Sequence, residues 1–323
     1  MERYGGIKNM GTGLTAGILW GLDTVILGIA LAMSPFTSAA QAIFLAPFVS
    51  TFLHDACSSI WMLIYMGAKR QYKNVIRALK SRSGRFIVLG ALLGGPVGMS
   101  GYVAAINYIG PGYTAIISAM FPALGAFLSY VFLKEKMKPV QIVSLMISIL
   151  GVIALGYAPG NSEIKNLPLG FACAVICCVG WALEAVICAY GLKDPDITDE
   201  QALQIRQLTS AVFYGIVILP VIKGWGFTLD LIPTSAAGVI LLSALFGTAS
   251  YVYYYKAIAT IGASKAMALN ITYSAWAIIF SLILLHTVPD LKSIVCGVII
   301  VISSVVAATD IDGFVAKKQK TLN

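Results

Sequence analysis

Trp181-Ala182-Leu183-Glu184 sets an aromatic ring and a carboxylate three residues apart inside an apolar run, and Trp20-Gly21-Leu22-Asp23 repeats the arrangement near the start of the chain. A carboxylate in the middle of a hydrophobic helix is costly and usually faces an interior cavity, where a proton, an ion or a cationic ligand compensates it. The plainer alternative for Glu184 is a protonated core residue satisfied by its own helix. The twin argues against that, because an incidental core acid has no reason to recur at the matching place in a second half. The two stretches point to a duplicated architecture with a site between the copies.

Of the 323 residues, 59% are hydrophobic and 11% charged, and the mean hydropathy is +0.86. These values exclude a soluble domain. Apolar segments of about 20 residues, long enough to cross a bilayer core, recur along the whole chain. In the first half they run from Gly11 to Ala32, Ser38 to Met66 with a break at Pro47, Phe86 to Asn107, Tyr113 to Leu133 and Pro139 to Tyr157. A polar link from Gly160 to Asn166 leads to Leu167 to Tyr190, Ala202 to Ile222, Ser235 to Ile258, Lys265 to Leu285 and Leu291 to Thr309. The expected fold is an all-α membrane protein of ten transmembrane helices. The first run carries Asp23 and is too long for a signal-peptide core, so it reads as a span. Cys57, Cys173, Cys177, Cys178, Cys188 and Cys296 lie in apolar runs, where free thiols act as small hydrophobes. Cys173, Cys177 and Cys178 have no nearby His, so neither a metal nor another cofactor is expected.

Basic residues set orientation, because Lys and Arg are retained in cytoplasmic loops. With the N-terminus inside, those loops collect Arg3, Lys8, the cluster Lys69, Arg70, Lys73, Arg77, Lys80, Arg82 and Arg85, then Lys134, Lys136, Lys138, Lys193, Lys256, Lys265, Lys317, Lys318 and Lys320. The opposite side keeps Lys165, Lys223 and Lys292. Both termini are therefore expected in the cytoplasm. The net charge of +8 needs no nucleic-acid partner, and the Lys69 to Arg85 cluster suits anionic lipid headgroups.

The halves align beyond the opening pair. Ala105, Ile106, Tyr108, Ile109 and Gly110 fall on Ala257, Ile258, Thr260, Ile261 and Gly262, and Phe121 falls on Tyr273. Five spans is an odd number, so the second copy enters the membrane from the opposite side. Residues 1–158 and 159–310 are thus expected to be inverted five-helix repeats, followed by a cytoplasmic tail at 311–323, with a site near the midplane.

Each Trp and its acid share one helix face. The eighth span adds Tyr251 and Tyr255 on a common face, with Tyr254 near it, and the ninth adds Asn270, Tyr273 and Trp276 at steps of three. Several ring faces plus a carboxylate suit a quaternary ammonium, which has no N–H to donate and is held by ring quadrupoles and a counter-charge. A primary amine wants several acceptors, and few stand here beyond Glu184, Asp23 and Asn270. The expected ligand is a small choline-like cation. Glu184, Asp23, His54 and Asp55 are the candidate groups for handling protons. Arg206 and Gln207 open the seventh span beside Asp199 and Glu200, where snorkelling to the interface is expected.

The ten spans in two inverted halves resemble the drug/metabolite transporter superfamily of EamA type over nearly the whole chain. Gly95-Pro96-Val97-Gly98-Met99, the Trp181 to Glu184 stretch, Ile205-Arg206-Gln207-Leu208-Thr209-Ser210, and Leu269-Asn270-Ile271-Thr272-Tyr273 with Trp276 are similar to the bacterial choline permeases of the phosphocholine-decoration pathway. That resemblance implies proton-coupled choline import, with Trp20, Trp181, Glu184, Tyr251, Tyr255 and Trp276 at pocket positions. An exporter of amino acids or lipophilic cations is the alternative within the same superfamily. The chain has no G-x-x-x-x-G-K-[ST] run, so ATP is not expected to drive it. An enzyme built on His54 and Asp55 would need a nucleophile and an oxyanion site, and neither is apparent.

Overall fold

The computed structural model describes residues 6–38, 40–118, 120–156 and 165–309. Among them, all regular structure is helical. In chain order the helices are α1 (Gly6–Leu31), α2 (Ala40–Ala68), α3 (Tyr72–Lys80), α4 (Arg82–Leu92), α5 (Ser100–Ser118), α6 (Phe121–Leu128), α7 (Pro139–Gly156) and α8 (Leu167–Gly191). They continue with α9 (Asp199–Phe213), α10 (Leu219–Val221), α11 (Trp225–Leu231), α12 (Ser235–Ile261), α13 (Ala263–Asn270), α14 (Tyr273–Leu285) and α15 (Leu291–Ala308). Wider π-helical turns at Leu93–Met99 and Tyr214–Ile218 join α4 to α5 and α9 to α10, and Ser129–Leu133 closes α6.

Eight of the described helical segments are long and apolar enough to cross a membrane, and Phe121–Leu133 and Pro139–Leu155 are shorter apolar helices. The chain is a multi-pass membrane protein. The expected tail at 311–323, with Lys317, Lys318 and Lys320, lies outside the described residues, as does Arg3.

Two boundaries differ from the sequence reading. Helix α5 does not end near Asn107 but runs to Ser118, and the next helix begins at Phe121 instead of Tyr113. Pro111 lies inside α5 and leaves it one donor fewer, and the Tyr108 carbonyl accepts from the backbone N–H groups of Lys165 and Asn166, which ties α5 to the segment before α8. Pro47 does not break the second span either, since it lies inside α2, where its carbonyl accepts from the Ser50 and Thr51 hydroxyls.

Packing has a pattern that survives exchange of the two halves. Helix α1 lies along α12 and α14, while α8 lies along α5, α6 and the turn at Leu93–Met99. Helix α2 meets α9, and α7 meets α15. Lipid chains are as apolar as the helices, so close approach at small residues has to supply much of the cohesion. At Gly180 a Cβ would stand 2.5 Å from the Leu93 carbonyl oxygen and 3.0 Å from the Gly98 Cα. At Gly21 it would stand 2.7 Å from the Trp276 Cβ and 2.9 Å from the Tyr273 carbonyl oxygen. The outer faces carry exposed Ile216, Val221, Ile283 and Ile302, as expected of surfaces that meet lipid.

Candidate functional site

Helix α9 starts on a capping box in which Thr198 and Gln201 satisfy each other's backbone N–H groups. Arg206 follows eight residues after that cap, roughly 12 Å along the axis. At that depth its side chain does not snorkel, contrary to the sequence expectation: Arg206 is 3% exposed. Its Nε donates to Glu184 Oε1 at 2.7 Å, one Nη donates to the Tyr251 hydroxyl at 3.1 Å, and the other donates to Gln207 Oε1 at 2.8 Å. The same Nη lies 3.4 Å from each Asp55 oxygen.

From Asp55 the charged groups continue into the first half. Ser210 donates to Asp55 Oδ2 at 2.5 Å, and His54 Nδ1 is 3.6 Å from Asp55 Oδ1. The other His54 nitrogen is 3.2 Å from Asp23 Oδ1, and the Ser243 hydroxyl donates to the same carboxylate. All four expected proton-handling residues, Asp23, His54, Asp55 and Glu184, thus fall into one buried row with Arg206. The row has room because two glycines flank it. A Cβ at Gly94 would overlap the Glu184 side chain, and one at Gly247 would stand 2.6 Å from His54 Nε2 and 2.8 Å from Asp23 Oδ2.

Beside the Glu184 end of this row lies a cavity of about 100 Å³. Of the expected ligand-binding residues, Trp20, Trp181, Glu184, Tyr251, Tyr255, Asn270 and Tyr273 line it. The twin tryptophans are held by different rings. Trp20 packs edge-on to Tyr251 with centroids 4.8 Å apart and stands 6.3 Å from Tyr273. Trp181 stands 5.4 Å from Tyr102 and packs edge-on to Phe121 at 5.7 Å. Asn270 ends α13, and its Oδ1 is buried without a hydrogen-bond partner.

Trp276 is not brought to the cavity. The chain leaves regular helix at Ile271 and Thr272, which breaks the stack expected from Asn270 through Tyr273 to Trp276, and Trp276 packs toward Gly21 on α1. Sequence reasoning had not assigned Arg206, Tyr254, Phe121, Met99 or Cys188 to the site, yet all of them line it. For Phe121 the hint was available, since it aligns with Tyr273. Tyr253, by contrast, is exposed on the outer face of α12.

The family model described as the EamA-like transporter family matches residues 8–157 and 168–309. Protein LicB of Haemophilus influenzae is 33% identical over 271 residues, covering 82% of this chain and 85% of that protein. The uncharacterized transporter YyaM of Bacillus subtilis is 26% identical over 194 residues, or 58% of this chain and 61% of its own. A solved crystal structure superposes with a TM-score of 0.69 at 15% identity, covering 93% of this chain and 97% of that one, a likeness of fold alone.

Proposed function

Because this chain belongs to the EamA-like transporter family, and so is a transporter rather than an enzyme, we propose that it imports choline or a close quaternary amine across the bacterial inner membrane in exchange for no chemical work beyond ion gradients. The observation that carries this reading is the cavity itself: seven aromatic side chains, Trp20, Phe121, Trp181, Tyr251, Tyr254, Tyr255 and Tyr273, surround a space lined by a single carboxylate, Glu184. Ring faces hold a quaternary ammonium through their quadrupoles, at about 2 kcal/mol for a desolvated contact. The unpartnered Asn270 Oδ1 adds an acceptor, which matches the one hydroxyl donor of choline and leaves a buried oxygen satisfied.

Import follows from electrostatics, since an inside-negative potential favours cation entry by ~2.3 kcal/mol per 100 mV. Coupling to protons is supported by the row from Asp23 through His54 and Asp55 to Glu184, which joins groups from both halves within hydrogen-bonding or ion-pair distance. Alternating access is supported by the packing symmetry, in which α1 and α8, α2 and α9, and α7 and α15 exchange roles. Such a pattern fits two inverted five-helix repeats, 1–158 and 159–310, that rock about a fixed midplane site.

The test is uptake of labelled choline into proteoliposomes with an imposed pH gradient, alone and with an inside-negative potential. Gradient-driven accumulation is expected from the unmodified protein and should be lost in Glu184→Gln. Accumulation retained by Glu184→Gln and lost in Asp23→Asn would move the proton site to Asp23. Efflux of amino acids or lipophilic cations without choline uptake would favour the exporter reading.

A further inference from the structure

The quaternary-ammonium reading of the cavity leaves one group without a role: Arg206, a cation already standing where a cation is expected to bind. Its Nε holds Glu184 Oε1 at 2.7 Å, and its guanidinium carbon lies 4.7 Å from the centre of the Tyr251 ring. A carboxylate and an aromatic face are the two partners that a choline-like ligand would take. Guanidinium keeps its charge in proteins, so the site cannot relieve the competition by deprotonating it.

The surroundings of Arg206 supply a second place for that charge. Both Asp55 oxygens lie 3.4 Å from one Nη, long for a charge-assisted hydrogen bond and short enough to close with a small side-chain shift. Gln207 already holds the same nitrogen at 2.8 Å. Asp55 belongs to the first half of the chain and Glu184 to the second, so the arginine stands between one acid of each.

We propose that Arg206 is the resident counter-cation of the site: it holds Glu184 and the Tyr251 ring until a quaternary ammonium enters the cavity and takes them over, whereupon Arg206 turns to Asp55. With ligand bound, two cations face two carboxylates, and no charge at this end of the row is left buried without a partner. Return of Arg206 to Glu184 then expels the ligand on the other side, so the arginine weakens binding and speeds release. Arg206 acts on the ligand through these partners, as a positioning and affinity-setting residue. The inference rests on the proposed choline reading.

The experiment measures choline binding by calorimetry and choline uptake kinetics with the purified full-length protein, for the unmodified chain, Arg206→Gln, Arg206→Lys and Asp55→Asn. Removing the competitor should tighten choline binding by about tenfold in Arg206→Gln and lower maximal uptake by at least about as much, a split that loss of structure alone does not produce. Arg206→Lys should fall between that variant and the unmodified protein. Asp55→Asn takes away the alternative partner and should move affinity the other way, weakening choline by about tenfold; it tests the idea even if Arg206→Gln does not fold. Weaker choline binding in an Arg206→Gln that melts normally, or unchanged or tighter binding in Asp55→Asn, overturns the exchange while leaving the substrate reading intact. A preference for trimethylglycine over choline would overturn it as well, by making Arg206 an anion site. No choline binding by the unmodified protein overturns the substrate reading and the exchange together.

Discussion

Two tryptophans that look interchangeable in sequence sit in different company, and their removal separates ring faces that touch the ligand space from rings that only pack. Trp20→Ala and Trp181→Ala should each weaken choline binding by ~1–2 kcal/mol, the worth of a lost desolvated cation–π contact. Trp276→Ala, at a residue that is not among those lining the cavity and whose Cβ lies against Gly21 of α1, should change binding less than either, although it opens a packing defect that lowers thermal stability. Calorimetry on the three variants tests this, and equal loss in all three would show that the tryptophans act through packing. At the same scale, Gly94→Ala should cripple uptake while sparing membrane insertion, because a methyl there competes with the Glu184 carboxylate for space; overpacking of this kind costs about 1–3 kcal/mol. Uptake indistinguishable from the unmodified protein would mean that Glu184 is free to move aside.

At the level of elements, the paired aromatic-acid stretches on α1 and α8 were readable from residue type and spacing alone, because membrane helices leave few reasons for a buried acid. The partners of those acids were not. Arg206 sits near Asp199 and Glu200 in sequence, so it looked like an interface residue, and only the depth of α9 below its Thr198 cap turns it into a neighbour of Glu184. Trp276 shows the opposite failure: a regular i, i+3, i+6 stack assumes an unbroken helix, whereas the chain turns between α13 and α14. The start of α13 is held by another long-range contact that spacing does not reveal. Glu135, just after the turn that closes α6, accepts from the Ala263 and Ser264 backbone N–H groups at 3.0 Å each and from the Ser264 hydroxyl at 2.7 Å. Glu135→Ala should therefore lower stability by about 1 kcal/mol, as loss of a helix N-terminal cap does. A melting temperature unchanged by the substitution would reduce the contact to a surface accident.

For the whole molecule, composition and apolar run lengths made the membrane class legible before any motif, and the expected five spans per half carried the expectation of inversion. Boundaries were less legible where proline and glycine interrupt apolar runs, as at Gly110-Pro111-Gly112, which reads as a break between spans and lies inside α5. The proposed inversion makes a prediction that needs no ligand. Reporters placed near Lys73 and Lys136 should be accessible from the cytoplasm and one near Lys165 from outside, which follows from the distribution of basic loops. A reporter near Lys73 that is reached from outside would overturn the inverted arrangement.

Glu135 belongs to the first half and Ala263 to the second, so their contact is a clasp across the rim proposed to face the cytoplasm. If that rim parts whenever cargo is delivered, the amides of Ala263 and Ser264 lose their acceptor once per cycle and meet solvent. Deuterium uptake at those two amides then becomes a turnstile counter: it should quicken when choline and a gradient are supplied together, and return to its resting pace when either is withdrawn.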